Sequence, residues 1–264
     1  MSFATLSAPA LALQPTSLKL GYSVYVGGLK ALDVSFVSVE SEKDYKYSAE
    51  IRSSELVKIF FLWKWSSFSQ GKFINGKARP TRAGSNSIWK DKKRRLSVDY
   101  NGLFFPEKVQ RLPAKDGKGR TPVTRAMKYN TVDPLTAVIN LLRASSSSNG
   151  CEAVERVFDG IRSYVLGLKK QGTDDLKETR HSAYAGNAFK CQVSIEKLGG
   201  YRLRSQSDTR PKREIFAWVA KPFREFQPFL VKLEFETDYG WLIAHLASAT
   251  LNKEGKLTEI KKKR

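Results

Sequence analysis

Alternating apolar and polar residues open the chain and predict β-strands. Between residues 18 and 26 every second residue is apolar, which is the pattern of a strand with one buried face. Gly27 and Gly28 then permit a tight hairpin turn, and the alternation resumes over residues 32–39 and 45–51. The chain is therefore predicted to begin as an antiparallel meander.

The same period of two returns in short segments along the rest of the chain, and most of these are separated by glycine, proline or polar turns. The predicted strands lie around Phe73 and at residues 85–89, 96–100, 154–158, 164–168, 182–197, 215–219, 231–235 and 241–249. The fold class predicted from this pattern is mainly β.

One segment has the periodicity of a helix. Asp133 is a suitable N-cap and Pro134 suits the first turn. The apolar residues that follow have the i, i+3, i+4, i+7 spacing of a helix with one buried stripe, and they are Leu135, Val138, Ile139 and Leu142. We expect one helix that packs against the sheet and plugs one end of it.

Residues 55–68 form the most apolar part of the chain. Their periodicity fits a helix and a strand equally, and we predict a helical turn that leads into a strand starting near Trp63. One interpretation of this segment is ordinary core packing. The other is an aromatic wall over a cavity for a hydrophobic ligand, formed by Phe60, Phe61, Trp63 and Trp65.

The chain carries a formal net charge of +20, and such a surface attracts polyanions. Basic residues are densest over residues 90–128, where Lys92, Lys93, Arg94 and Arg95 follow one another. A run of this kind is commonly a solvated face; as a functional site it would contact an anionic surface such as lipid headgroups. Because the sequence has no fingerprint of a nucleic-acid-binding module, no specific nucleic acid is expected, with single-stranded nucleic acid as the weaker alternative.

The sequence contains no convincing catalytic or metal-binding motif. His181, His245 and the two cysteines lie too far apart to supply the short ligand spacing of a zinc site. We interpret His181 as exposed and His245 as a hydrogen-bonded core residue. Asp159 precedes Gly160 between two predicted strands, which is typical of a hairpin turn. The sequence therefore predicts no enzyme, no metal and no cofactor.

The two ends of the chain are predicted to lie outside the folded unit. Residues 1–13 are either the remnant of an export signal or a flexible terminus: residues 8–12 offer small-residue cleavage patterns, but the basic start and most of the apolar core of a signal are missing. Residues 14–252 are predicted to form a single β-rich domain. Residues 253–264 are a basic tail that we expect to be frayed.

The chain has two cysteines, Cys151 and Cys191. Two buried free thiols are one interpretation. The other is a disulfide that joins the end of the helical segment to a late strand. The positions favour the disulfide, because Cys151 follows a polar loop and Cys191 lies in phase with the apolar face of its predicted strand.

A series of short motifs, taken in order, resembles a family of exported proteins of Gram-negative bacteria known only as domain of unknown function number 3108. The motifs are YVGGLKA at residues 25–31, VDPL at 132–135, Cys151, VFDG at 157–160 and YAGNAFKC at 184–191. The resemblance spans residues 18–249 and implies a periplasmic, mostly antiparallel β protein with a Cys151–Cys191 bridge. It also implies a curved sheet or open barrel with one packed helix, like the half-barrels that carry lipoproteins.

We therefore predict a non-enzymatic periplasmic envelope protein, with secretion as the alternative location. Its ligand would be a lipid, an acyl chain or a lipidated polypeptide in an apolar cavity, and an anionic membrane surface would be a further partner. One rival is an exported basic interaction protein or effector that binds a polyanionic or host partner. The other is an enzyme acting on an envelope glycan, which would need paired carboxylates, whereas Glu234 and Glu236 alternate on a predicted exposed face.

Overall fold

The computed structural model describes residues 14–58, 62–90, 92–102, 104–114, 119–146, 150–203, 213–238 and 240–262. Within these ranges the strands of the first half are β1 Thr16–Val26, β2 Leu29–Glu40, β3 Asp44–Ser53, β4 Trp63–Ile74, β5 Lys77–Trp89, β6 Lys92–Tyr100 and β7 Pro106–Leu112. Those of the second half are β8 Ala153–Phe158, β9 Ser163–Leu176, β10 Gly186–Gly199, β11 Ile215–Ala220, β12 Phe229–Thr237, β13 Gly240–Lys253 and β14 Lys256–Lys261. The helices are α1 Glu55–Lys58, α2 Arg125–Lys128 and α3 Pro134–Ala144. None of these helices is long and apolar enough to cross a membrane.

The fourteen strands belong to one antiparallel sheet that curls into a nearly closed barrel. β1 to β7 form one meander, β8 to β13 form a second, and β1 pairs with β13 to join them. The path of paired strands ends at β7 and at β8, and Val132 bridges to Val157 of β8. β14 pairs with β13 outside this path. The prediction of a mainly β, curved antiparallel sheet with one packed helix is confirmed.

Strand alternation gives the barrel a defined inner face. Tyr45, Tyr47 and Ala49 of β3 are buried on one side of the sheet, and the hydroxyl of Tyr45 lies 3.0 Å from Thr136 Oγ1 of α3. That side of β3 is therefore the inner one. Residues directly paired across antiparallel strands point to the same side, so the strand register extends the assignment around the sheet.

Helix α3 lies inside the barrel, where it contacts β3, β4, β5, β8, β9 and β12. Its predicted cap is confirmed: Asp133 Oδ1 accepts hydrogen bonds from the backbone N–H groups of Leu135 (3.0 Å) and Thr136 (3.1 Å). Further along, the Asn140 amide accepts from the backbone N–H of Ala78 at 2.9 Å and donates to its carbonyl at 3.1 Å. The helix is thereby tied to β5 at a buried position.

A buried polar network joins the start of α3 to β3 and β4. Asp133 Oδ2 accepts hydrogen bonds from Ser69 Oγ (2.7 Å) and Thr136 Oγ1 (2.6 Å), and Thr136 Oγ1 is also within reach of Tyr45 OH. Burial raises the pKa of Asp133, and its hydrogen bonds with Thr136 and Ser69 oppose that shift. We call this filled region, made of Tyr45, Tyr47, Ser69 and α3, the helix end of the lumen.

Cys151 and Cys191 form a disulfide, as predicted, with Cα atoms 5.8 Å apart. Both residues are fully buried and belong to the core cluster that surrounds the second half of α3. The bridge therefore fixes the segment after α3 to the inner face of β10.

The prediction of a frayed basic tail is wrong for the described part of residues 253–264. Glu254 and Gly255 form a turn in which both residues have positive φ, 54° and 82°, and the chain returns as β14 along β13. Ile260 packs against the main core. The lysines concealed this strand, because charged side chains are typical of edge strands, and the sheet consequently extends beyond the predicted boundary at residue 252.

Substitutions at Asp133 separate its role as a cap from the cost of burying its charge. Asn caps helices as well as Asp, so Asp133→Asn should fold, whereas Asp133→Ala should lose about 1–3 kcal/mol of unfolding free energy. Because the pKa of Asp133 is raised in the folded state, ionisation of this group opposes folding above its unfolded pKa of about 4. The stability of Asp133→Asn relative to the unsubstituted protein should therefore increase as the pH rises above about 4 in urea denaturation. A difference that does not change with pH would contradict this account.

The disulfide should stabilise the barrel mainly by restricting the unfolded chain. Its cysteines are separated by 40 residues, for which loop closure predicts roughly 3–4 kcal/mol. Cys151→Ala/Cys191→Ala should therefore shift the urea midpoint down. Reductant should lower the midpoint of the unsubstituted protein towards that of the double variant and leave the variant unchanged. Equal midpoints for all samples would show that the bridge contributes nothing to stability.

Candidate ligand-binding end of the lumen

Three tryptophans lie on the inner face of the barrel, at the far end of β3 from Tyr45. Ile51, an inner residue of β3, pairs with Trp65 of β4. Trp63 shares that face of β4 and pairs with Trp89 of β5, and the rings of Trp63 and Trp89 meet edge to face with centroids 6.1 Å apart. We call the region formed by Ile51, Trp63, Trp65 and Trp89 the tryptophan end of the lumen.

The tryptophan end is apolar but incompletely buried. Ile51, Trp63 and Trp65 are half-buried, Trp89 is 47% exposed, and none of the four belongs to the buried clusters of the core. The inner face of β11 to β13 continues the lining with a paired row of half-buried residues, Ile215, Phe235 and Leu242. Partly exposed apolar side chains inside a barrel are the lining that a site for an apolar ligand requires.

The structure places two of the four aromatic residues that the sequence predicted to bind a ligand. The predicted helical turn and the strand beginning at Trp63 are confirmed as α1 and β4. Trp63 and Trp65 lie together on the inner face, whereas Phe60 and Phe61 lie outside the described residues. Sequence reasoning missed Trp89 as a member of this aromatic group, because it is 26 positions from Trp63 in the chain. The two residues meet only because β4 pairs with β5.

The basic run begins β6, so strand alternation divides it between the two faces. Lys92 and Arg94 pair with inner residues of β5 and lie beside the tryptophan end. Lys93 and Arg95 point outward, and Arg95 Nε donates a hydrogen bond to Asn86 Oδ1 at 3.0 Å. All four side chains are exposed. The predicted single contact surface is therefore two separate pairs of cations.

A polar cleft of about 380 Å³ opens at the helix end of the lumen. Glu40 forms its floor: it accepts hydrogen bonds from Tyr47 OH (3.0 Å) and Gln227 Nε2 (3.3 Å) and forms an ion pair with Arg143. The Arg143 guanidinium lies over the ring of Phe73 at 4.4 Å from its centroid. Periodicity could not identify this cleft, because its lining comes from segments far apart in the chain, among them β2 with Glu40, α3 with Arg143 and the segment before β12 with Gln227.

The two histidines lie together rather than in the separate settings predicted for them. His245 is half-buried on the outer face, 6.0 Å from the ring of His181 and 6.1 Å from that of Tyr25. Burial and the neighbouring charge of Lys232 lower the pKa of His245 to about 4. Across the described ranges, no group of three His, Cys, Asp or Glu side chains is placed to hold a metal ion.

Glu234 and Asp159, two of the carboxylates singled out in the sequence, have local structural partners. Glu234 and Glu236 lie on the outer face of β12, where Glu234 pairs with Lys232 at 2.6 Å. Asp159 Oδ1 accepts hydrogen bonds from the backbone N–H groups of Ile161 (2.9 Å) and Arg162 (2.6 Å). The latter contacts confirm the predicted turn between β8 and β9.

A family model described as a protein of unknown function, DUF3108, matches residues 21–247. The chain belongs to the DUF3108 family. Among solved structures, this DUF3108 chain is similar to the crystal structure of a beta-barrel-like protein of domain of unknown function DUF1849 from Brucella abortus, with a TM-score of 0.45 and 8% sequence identity. That similarity covers 92% of this chain and 100% of the other. Comparison with curated proteins finds no significant match.

Proposed function

We propose that this DUF3108 protein is a non-enzymatic carrier that binds the apolar chain of an anionic amphiphile in the tryptophan end of the lumen. The ligand would be a lipid, a free acyl chain or the lipid group of a polypeptide. One observation carries the proposal: the inner face there presents partly exposed Trp63, Trp65 and Trp89 next to the inner cations Lys92 and Arg94.

The lining suits a ligand with one apolar and one anionic part. Tryptophan rings supply large apolar contact area and lose little conformational freedom. Lys92 pairs directly with Trp89 across the β5–β6 hairpin, so a positive charge stands at the edge of the aromatic lining. A lysine offers a carboxylate or phosphate a point charge, and an arginine offers it two parallel hydrogen bonds. The acyl chain would lie along the tryptophans, with its headgroup at the start of β6.

We also propose that the protein works in the periplasm, with secretion as the alternative, and that it acts in maintenance of the cell envelope. The buried Cys151–Cys191 bridge supports export, because structural disulfides persist mainly in oxidising compartments. An anionic amphiphile is also the ligand class that an envelope offers in abundance.

Binding to the tryptophan end can be tested by calorimetric titration with palmitate and with hexadecanol, which have the same number of carbon atoms and differ in the charge of the headgroup. Trp65→Ala should weaken both about tenfold, since an aromatic contact contributes up to about 1.5 kcal/mol beyond the area that it buries. The matched control is Trp241→Ala, because Trp241 is 44% exposed on the outer face of β13, and it should bind like the unsubstituted protein. Lys92→Gln/Arg94→Gln should weaken palmitate severalfold and leave hexadecanol unchanged. Failure of the unsubstituted protein to bind either ligand, or equal losses at Trp65 and Trp241, would refute the proposed site.

The proposed location predicts the mass of the protein purified from its native cells. Intact mass spectrometry should show a processed N-terminus and, before reduction, a chain lighter by two hydrogen atoms that resists alkylation. After reduction in denaturant, both cysteines should become alkylated. An unprocessed chain with two free thiols would place the protein in a reducing compartment and contradict export.

A further inference from the structure

The outer face of the barrel carries an aromatic ring that leans across the neighbouring strand. Phe68 alternates with the inner residues Ser67 and Ser69 and pairs with Gly84 of β5. A Cβ atom at Gly84 would stand 2.8 Å from Phe68 Cε1 and 3.1 Å from Cζ. The tip of the ring therefore lies over the glycine backbone instead of projecting from the surface, and the half-buried ring forms an apolar platform.

Neutral polar residues border this platform and cations surround them. The outward neighbours of Phe68 in the strand register are Ser48, Ser66, Gln70, Asn86, Ser97 and Gln110. Exposed basic residues follow at Lys46, Lys64, Lys93, Arg95 and Lys108. The two acids within these rows, Glu50 and Asp99, form ion pairs with Arg52 and Arg82. The face is consequently strongly positive around a central ring.

We infer that this Phe68 face, made of Phe68 and the cations Lys46, Lys64, Lys93, Arg95 and Lys108, binds an acidic polysaccharide. A pyranose ring presents a flat side of C–H groups that stacks on an aromatic ring. The surrounding amides and hydroxyls can bond its hydroxyl groups, and the cations attract its carboxylates or sulfates.

The spacing of the cations fits a polymer with regularly repeated charges. Lys64 and Lys93 point outward from β4 and β6 in one row, with Ile88 of β5 between them. Two strand spacings separate their Cα atoms by about 10 Å, which is close to the length of a disaccharide. An acidic glycan with one charged sugar in two would therefore meet a cation at each repeat.

The same geometry disfavours two other polyanions. Single-stranded nucleic acid is bound by stacking successive bases on several rings, whereas Phe68 is the one aromatic residue among the outward positions of these rows. A membrane-binding surface inserts protruding apolar side chains, whereas Phe68 lies against Gly84. The convex outside of a barrel also meets a planar bilayer along a narrow line only.

Adjacent residues of β6 provide a matched test. Lys93→Gln/Arg95→Gln removes two outward cations, and Lys92→Gln/Arg94→Gln removes two inward cations from the same strand, with the same change in net charge. Binding of a heparin decasaccharide, measured by calorimetry at moderate salt, should weaken about tenfold in the outward variant and less than twofold in the inward one. Phe68→Leu should weaken it severalfold, with the loss persisting at higher salt because stacking is not screened. Dextran, which is uncharged, should not bind.

Three results would overturn the inference. Equal losses in the outward and inward variants would show that heparin senses net charge alone, and an unchanged affinity in Phe68→Leu would remove the platform. Tighter binding of a single-stranded oligonucleotide or of phosphatidylglycerol vesicles, with the same dependence on Phe68, would assign the face to that partner. Palmitate affinity should be unaltered in Lys93→Gln/Arg95→Gln. Loss of heparin binding and loss of palmitate binding can therefore be told apart, and either proposal can be refuted without the other.

Discussion

The buried carboxylate of Asp133 determines where α3 lies, and the two ends of the lumen differ because of it. Ser69 and Thr136 hold the carboxylate from β4 and from the helix itself, while Asn140 ties the helix to the backbone of β5. These bonds leave the helix little freedom to slide along the inner wall, since a shift of one residue would leave a buried charge and a buried amide without partners. Such a shift would cost several kcal/mol.

Because of its length, α3 leaves part of the inner face uncovered. α3 has eleven residues and is about 16 Å long, whereas β4 has twelve residues and extends about 40 Å. Even if α3 lay parallel to β4, it would cover less than half of that strand. The inner residues beyond its reach, Trp63 and Trp65 among them, therefore stay partly exposed, and burial of their apolar surface is available to a ligand.

The pleat of a single strand separates the two binding surfaces proposed for this protein. Lys92 and Arg94 stand inside the barrel beside the tryptophans, and Lys93 and Arg95 stand outside near Phe68. Because neighbouring residues of a strand point to opposite faces, the four consecutive cations are divided into two pairs. The two pairs lie on opposite faces of the sheet and have no neighbouring side chain in common. The inner pair lies beside the tryptophan rings and the outer pair lies on a polar face, so the two proposals assign a different ligand to each pair of cations.

The sequence by itself determined the properties that depend on short-range order. Alternation identified the meander, the Asp133 cap and stripe spacing identified α3, and the phase of Cys191 favoured the disulfide.

The tertiary structure alone decided which residues meet across the barrel. Trp89 joins Trp63 through strand register, Lys92 to Arg95 divide between two faces, and Glu40, Arg143 and Gln227 converge from distant elements. β14 escaped prediction because an exposed edge strand has few buried side chains to reveal its period. Local patterns state which side of an element is buried, but only strand pairing states what lies opposite, and that pairing is set by long-range packing.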